Sequence, residues 1–483
     1  MVFSDLLFLY IFLPCFVLFY IAGSLIDKAS QGKDRPRDQR PTTMRNVVLI
    51  AFSLFFYAWG EPVYVFLMIG NVTVNYFVGR WIGSQEGAAR KWALATGLTL
   101  NILSLGVFKY AGFFAQTLVD AGLPISVPEI SLPIGISFYT FQAMSYLIDV
   151  YRKEAPAQKK FYNLLLYISM FPQLVAGPIV RYDSVQQEIA HREVKASDLT
   201  DGIFRFVIGL GKKVILANQL GEIADQFLKN GITDLTTSGA WVGIIAFALQ
   251  IYYDFSGYSD MAIGMGRCMG FHFKENFNHP YTCSSITDFW RRWHMTLGGF
   301  FRDYVYIPLG GNRRHQALNI FVVWFLTGFW HGASWNFIFW GLYFGFFVMI
   351  EKYTILKLKH AAWRPLLHLY SLVVVVVGWG LFYFDSLTPM CHFYNVLIGN
   401  GSSDSIMAET ALTNNFFLWI AALAFILPLR QWADRLNKRI FKDNTTGKTF
   451  DLITRVVVTV AILLLSTALL VGATNNAFIY TRF

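Results

Sequence analysis

The 483-residue chain is poor in charge and in cysteine, and it lacks the signatures of common water-soluble enzymes. Only 14% of its residues are Asp, Glu, Lys or Arg, where a soluble domain carries about a quarter. That scarcity, beside 55% hydrophobic residues, excludes a soluble globular protein. Four cysteines (Cys15, Cys268, Cys283, Cys391) are scattered in mostly apolar surroundings, so their spacing excludes a zinc module or a disulfide framework. No Gly-x-Ser-x-Gly elbow surrounds a serine, and no His-Glu-x-x-His metal site is present. Gly264-Met-Gly266 does not complete a dinucleotide fingerprint. The sequons at Asn71, Asn400 and Asn444 are read as chance matches. Strand alternation, low-complexity tracts and internal repeats are missing too.

What is present is a series of apolar runs approaching the roughly 20 residues needed to cross a bilayer as a helix. The pattern predicts an all-α polytopic membrane protein of about ten spans plus re-entrant pieces. Residues 1–483 read as a single integrated membrane domain. The net charge of +10 is read as loop charge that sets orientation rather than as a nucleic-acid footprint. Asp5 and the late first basic residue, Lys28, argue for a retained span over residues 3–26 with its N-terminus outside. The loop 27–45, with six basic residues, is expected on the cytoplasmic side, as is the loop 430–450, which leaves the C-terminus outside. Residues 46–83 read as two short apolar pieces split at Gly60-Glu61-Pro62, a broken or tilted pair. Residues 92–116 and 131–150 are further spans, separated by a stretch that Pro124, Pro128 and Pro133 keep out of continuous helix. Phe171 to Arg181, with two prolines inside an apolar run, suits a re-entrant segment. Residues 202–228 look amphipathic and interfacial. Later spans are expected near 317–350, 366–385, 415–429 and 452–474.

Three polar groups of residues interrupt this apolar background. The first holds Asp254 and Asp260 with hydroxyls and a glycine between them; they suit a proton relay or cation site, or, the preferred reading, caps that pin a helix break. The second lies in the polar, basic segment 272–316. Arg291, Arg292, Arg302, Arg313 and Arg314 there suit a phosphate-bearing cofactor. They equally suit a belt at the headgroups, which composition alone favours. The third is His331, alone in the apolar, aromatic run 317–350. It is open between a neutral core imidazole and a general base toward a hydroxyl.

Six motifs occur in order along the chain. They are Pro133 to Phe141, Gly177-Pro178-Ile179-Val180-Arg181, Asp254 to Gly264, Asp288 to His294, Arg302-Asp303-Tyr304 with Pro308 to Arg313, and Trp330-His331-Gly332-Ala333. The set resembles the membrane-bound O-acyltransferase (MBOAT) family, in its bacterial alginate O-acetylase-like branch. The closing Ala477 to Phe483 resembles the end of that branch. The resemblance implies a ring of tilted and broken transmembrane helices around a central tunnel, open to a cytoplasmic acyl donor and to an acceptor from the other side. It implies that His331 is the catalytic histidine and His294 a second one near the cytoplasmic mouth. It further implies acetyl-CoA as donor substrate with no permanently bound cofactor and no metal. Arg291, Arg292, Arg302, Arg313 and Arg314 would then face the donor phosphates. An extracytoplasmic SGNH-hydrolase-like acetyltransferase partner, a polysaccharide acceptor and a bacterial inner-membrane location follow from the same likeness. Peptidoglycan acetylation and D-alanyl transfer to teichoic acid remain alternative acceptor chemistries. From other classes, a proton-coupled transporter using Asp254, Asp260 and the histidines, and a non-catalytic scaffold, stay open.

Overall fold

A computed structural model of the chain describes residues 2–29, 42–354, 363–441, 444–473 and 479. Among these residues the fold is helical and contains no β-strand. The helices fall into two compact units, Met1–Phe206 with Tyr258–Lys274, and Val207–Gly257 with Glu275–Phe483.

The first unit begins with a π-helical turn, Phe8–Phe12, that continues into α1 (Leu13–Ala29). α2 (Thr43–Gly60) and α3 (Tyr64–Ser84) follow, separated where Pro62 interrupts the helix. Each of these two is long and apolar enough to cross a membrane alone, so the expectation of two short pieces is corrected. α4 (Gly87–Leu105) passes through a π-turn into α5 (Ala111–Asp120), and no helix follows until α6 (Ile136–Arg152), as the prolines require. α7 (Phe161–Ser169) breaks at Met170 before the single turn α8 (Phe171–Leu174), then α9 (Tyr182–Ala190) and α10 (Ala196–Gly211), as far as Phe206, complete the run.

Several polar groups inside this unit pair with one another, as an apolar surrounding favours. Asn75 and Asn101 exchange side-chain amide hydrogen bonds of 3.2 and 2.8 Å between α3 and α4, and Asn71 donates to Asn101 at 3.0 Å. The first sequon is thus used internally. Arg45, counted above as a loop charge, is buried and pairs with Asp27 at 3.2 Å. Most of the basic loop 27–45 otherwise lies outside the described residues. Arg192, also buried, donates to Met269 O at 3.0 Å and to Asn46 Oδ1 at 2.6 Å, with its guanidinium 4.5 Å from the Phe271 ring centroid.

The second unit holds α11 (Asn218–Asp225) and the first two-thirds of α12 (Thr237–Cys268). It continues with the short α13 (Ile286–Arg292) and α14 (Met295–Phe301), then α15 (Gln316–His331) and α16 (Trp335–Tyr353). α17 (Arg364–Tyr383), α18 (Leu387–Asn395), α19 (Ile406–Asn414), α20 (Phe416–Phe425), α21 (Leu429–Ile440) and α22 (Asn444–Val471) close it. Residues 430–440, expected as loop, are therefore helix.

α12 runs unbroken through Asp254 and Asp260, against the expectation of a break there. The reason is charge pairing from the segment read as interfacial. Lys213 Nζ lies 2.6 Å from Asp254 Oδ1, with both side chains at most 4% exposed, and Asp254 Oδ2 accepts the Ile479 N–H at 2.9 Å. Arg205 pairs with Asp260 at 2.8 Å. Residues 202–228 are thus largely buried rather than interfacial. Among the described residues six helices are long and apolar enough to cross a membrane, or seven if the bent pair α19 and α20 is one span. Of the other expected spans, α15 is only 16 residues long, short of the roughly 20 a crossing helix needs.

Candidate active site

His331 is the last residue of α15, immediately before a three-residue turn into α16. The two helices form a hairpin that packs backbone to backbone. A Cβ added to Gly328 or Gly332 would collide with Phe337, and one on Gly341 with the Trp324 carbonyl oxygen. A Cβ on Gly345 would lie 2.8 Å from Trp324 Cβ. Small residues at these positions let two aromatic helices approach closely. Ser334 caps α16, its Oγ accepting the Asn336 N–H at 3.2 Å, which fixes the chain just past the histidine. His331 is buried, with its ring centroid 4.9 Å from Trp330, 4.9 Å from Trp340 and 5.3 Å from Phe382. Trp290, Trp293, Trp324, Phe344 and Trp379 extend this aromatic shell.

His294 sits in the left-handed backbone conformation (φ 43°) between α13 and α14 and is 1% exposed. Its Nδ1 lies 3.0 Å from Asn276 Oδ1, which also accepts the Thr296 N–H at 3.3 Å. Because a backbone N–H must donate, that atom is the amide oxygen, and His294 Nδ1 must carry the proton. The lone pair is then on Nε2, which is buried and has no hydrogen-bond partner among the described residues. Burial pushes the pKa of this imidazole down to about 3, so the ring is neutral across the working range. A neutral imidazole with an open Nε2 is equipped to accept a hydrogen bond from a group placed beside it. Phe255 holds the ring edge-on at 4.6 Å, and Trp330 lies 6.2 Å away. The Trp330 indole therefore packs against both imidazoles and brings the two sequence-predicted histidines into one aromatic core.

The arginines are less uniform. Arg291, Arg313 and Arg314 are exposed and make no ion pair among the described residues. Arg292 binds Asp288 at 2.9 Å and the Thr282 hydroxyl at 3.2 Å. Arg302 forks onto its neighbour Asp303 at 2.6 and 3.1 Å. Any phosphate on these two would share them with a carboxylate. Asn276, which sets the His294 tautomer, escaped the sequence reading, since nothing in its local pattern marks it. No three His, Cys, Asp or Glu side chains gather as a metal site among the described residues.

Helices apolar enough to cross a bilayer, with two imidazoles buried in one aromatic shell, define a membrane protein that keeps ionisable groups in an apolar core. The chain belongs to the membrane-bound O-acyltransferase family, which matches residues 74–393 and takes in both histidines, and it is an O-acyltransferase. It is similar to the probable alginate O-acetylase AlgI of Azotobacter vinelandii, 38% identical over 413 residues that cover 83% of this chain and 79% of the relative. The same protein of Pseudomonas aeruginosa is 38% identical over 414 residues, covering 83% and 76%. The peptidoglycan O-acetyltransferase of Helicobacter pylori is 37% identical over 339 residues, covering 63% and 64%.

Proposed function

We propose that this O-acyltransferase, acting as one domain over residues 1–483, passes an acetyl group from cytoplasmic acetyl-CoA across the membrane for O-acetylation of an exported polysaccharide. An alginate-like polymer is the first candidate acceptor. Peptidoglycan acetylation is the alternative by likeness to the Helicobacter pylori relative, and D-alanyl transfer is more distant. Arg291, Arg313 and Arg314 are open to dock the donor phosphates, with Arg292 and Arg302 sharing that role with their carboxylates. His331 removes the proton from the attacking hydroxyl, or from an acceptor residue on the partner, while the acceptor oxygen bonds to the thioester carbonyl carbon. The carbon–sulfur bond then breaks, and the thiolate leaves as the thiol with the proton that His331 took up. His294, neutral and presenting Nε2, serves the donor side of the same transfer. An SGNH-hydrolase-like partner outside the membrane completes delivery to the polymer. The protein lies in the bacterial cytoplasmic membrane with both termini outside.

The observation that carries this reading is the joint burial of the two imidazoles against Trp330, with the His294 lone pair left open. The transporter reading gains nothing, because Asp254 and Asp260 are engaged by Lys213 and Arg205. The test is acetyl-CoA turnover by purified protein in proteoliposomes, with wild type beside His331→Ala. Loss of turnover in a folded variant is expected. Equal rates would remove His331 from the chemistry.

A further inference from the structure

Buried charges that the reaction does not use need a reason to be there, and Glu351 is one. It lies in the last turn of α16 and is 0% exposed. No cation pairs with it among the described residues; backbone donors meet its carboxylate, and the Tyr370 hydroxyl lies against it. Oε1 accepts the Ile286 N–H at 2.5 Å and Oε2 the Thr287 N–H at 2.8 Å. These are first-turn N–H groups of α13, which have no partner inside their own helix and favour a carboxylate. A second brace comes from α17, where His368 Nδ1 donates to the Cys283 carbonyl at 2.6 Å just before that turn.

The other end of α13 carries the site. Its seven residues span about 10 Å. Beyond it come Trp293 and then His294, held by Asn276. Glu351 itself belongs to the α15–α16 hairpin, whose glycine-lined interface fixes it relative to His331. Trp290 of α13 packs edge-on to Trp324, Trp340 and Phe344 of the same hairpin, at 5.0, 5.4 and 4.9 Å. Aromatic packing of that kind holds two elements together but tolerates sliding. Two charge-assisted hydrogen bonds to consecutive N–H groups do not.

We propose that Glu351 is a positioning residue for acyl transfer, which fixes α13 against the α15–α16 hairpin and so sets the spacing between His294 and His331. The inference rests on the reading that both histidines act in the transfer.

The experiment measures kcat and KM for acetyl-CoA in proteoliposomes for Glu351→Gln, Glu351→Asp, His294→Ala and the double variant Glu351→Gln/His294→Ala, with a detergent melt for each to score folding. Glu351→Gln keeps the shape but loses one acceptor and the charge. It is expected to lower kcat by about tenfold or more, since displacements near 1 Å at a reacting centre cost on this order, with KM within about twofold. In the His294→Ala background the same change is expected to add no further loss. Glu351→Asp keeps the charge and shortens the reach by one methylene, so kcat should fall in a folded protein. Multiplying losses in the double variant, or wild-type kcat from Glu351→Asp, would overturn the proposal. So would an activity loss that merely follows the folded fraction. Full activity of His294→Ala would instead remove the underlying role of His294, and with it the partner through which Glu351 acts.

Discussion

Removing Lys213 from the centre of the second unit provides a quantitative test of how the interior tolerates charge. Its ammonium lies 2.6 Å from Asp254, with the two side chains 4% and 1% exposed. At that distance, in an effective dielectric near 20, the attraction is about 6 kcal/mol, and most of it offsets the desolvation of the two ions. The pair is therefore a small net contributor, while breaking it is not small. Lys213→Met leaves a buried carboxylate without its cation and costs about 3–5 kcal/mol. For a chain of this size that corresponds to a melting temperature lower by about 3–5 °C. Asp254→Asn alone removes the carboxylate that faces the ammonium and should also lower the melting temperature. The double variant removes both ions of the pair, and Asn retains an oxygen for the Ile479 N–H. It should melt closer to wild type than either single change. Intrinsic tryptophan fluorescence in detergent, at one scan rate, reads all four proteins. Single variants within about 1 °C of wild type, or losses that simply add in the double, would refute the reasoning.

Three further outcomes follow from burial. The His294 imidazole, with its pKa pushed down to about 3, should show the neutral Nδ1–H tautomer by 15N NMR from pH 8 to pH 5. A transition centred near the ordinary 6.5 would show that the ring is hydrated. The same sign makes the folded state lose stability as pH falls below about 6.5, because the unfolded imidazole takes up a proton there and the folded one does not until about 3. In the first unit, Arg192→Lys should melt nearly as low as Arg192→Ala. A point ammonium cannot reach Met269 O and Asn46 Oδ1 together while lying against Phe271, so full rescue by lysine would count against that account.

Much of the helical plan was legible because it depends on local chemistry. Pro62, the prolines of 124–133 and the Pro172 segment mark real interruptions, and the apolar runs mark real helices. His331 stood out as the one ionisable group in an apolar, aromatic run and His294 through the family resemblance, and the structure packs both against Trp330. What stayed hidden depends on partners distant in sequence. Asp254 and Asp260 looked like helix breakers until Lys213 and Arg205, some forty and fifty-five positions earlier, were found beside them. Arg45 counted as a loop charge for want of knowing that Asp27 faces it. Asn276 is an ordinary polar residue until the Thr296 N–H identifies its oxygen and thereby the proton on His294. Residues 27–45, most of which lie outside the described set, and the closing motif 477–483, of which Ile479 alone is described, keep their orientation and likeness as sequence readings.

The glycine-lined hairpin has a consequence for how the gene can drift. Every amino-acid change one base away from a glycine codon introduces a Cβ. At Gly328 and Gly341 that atom meets a backbone carbonyl oxygen rather than a movable side chain. Even alanine, ordinarily the mildest replacement in a helix, is thus closed to these two positions. A laboratory mutational scan should find them intolerant, although neither residue has a side chain to take part in the reaction. The turn that presents His331 would then be kept in place by selection against adding atoms.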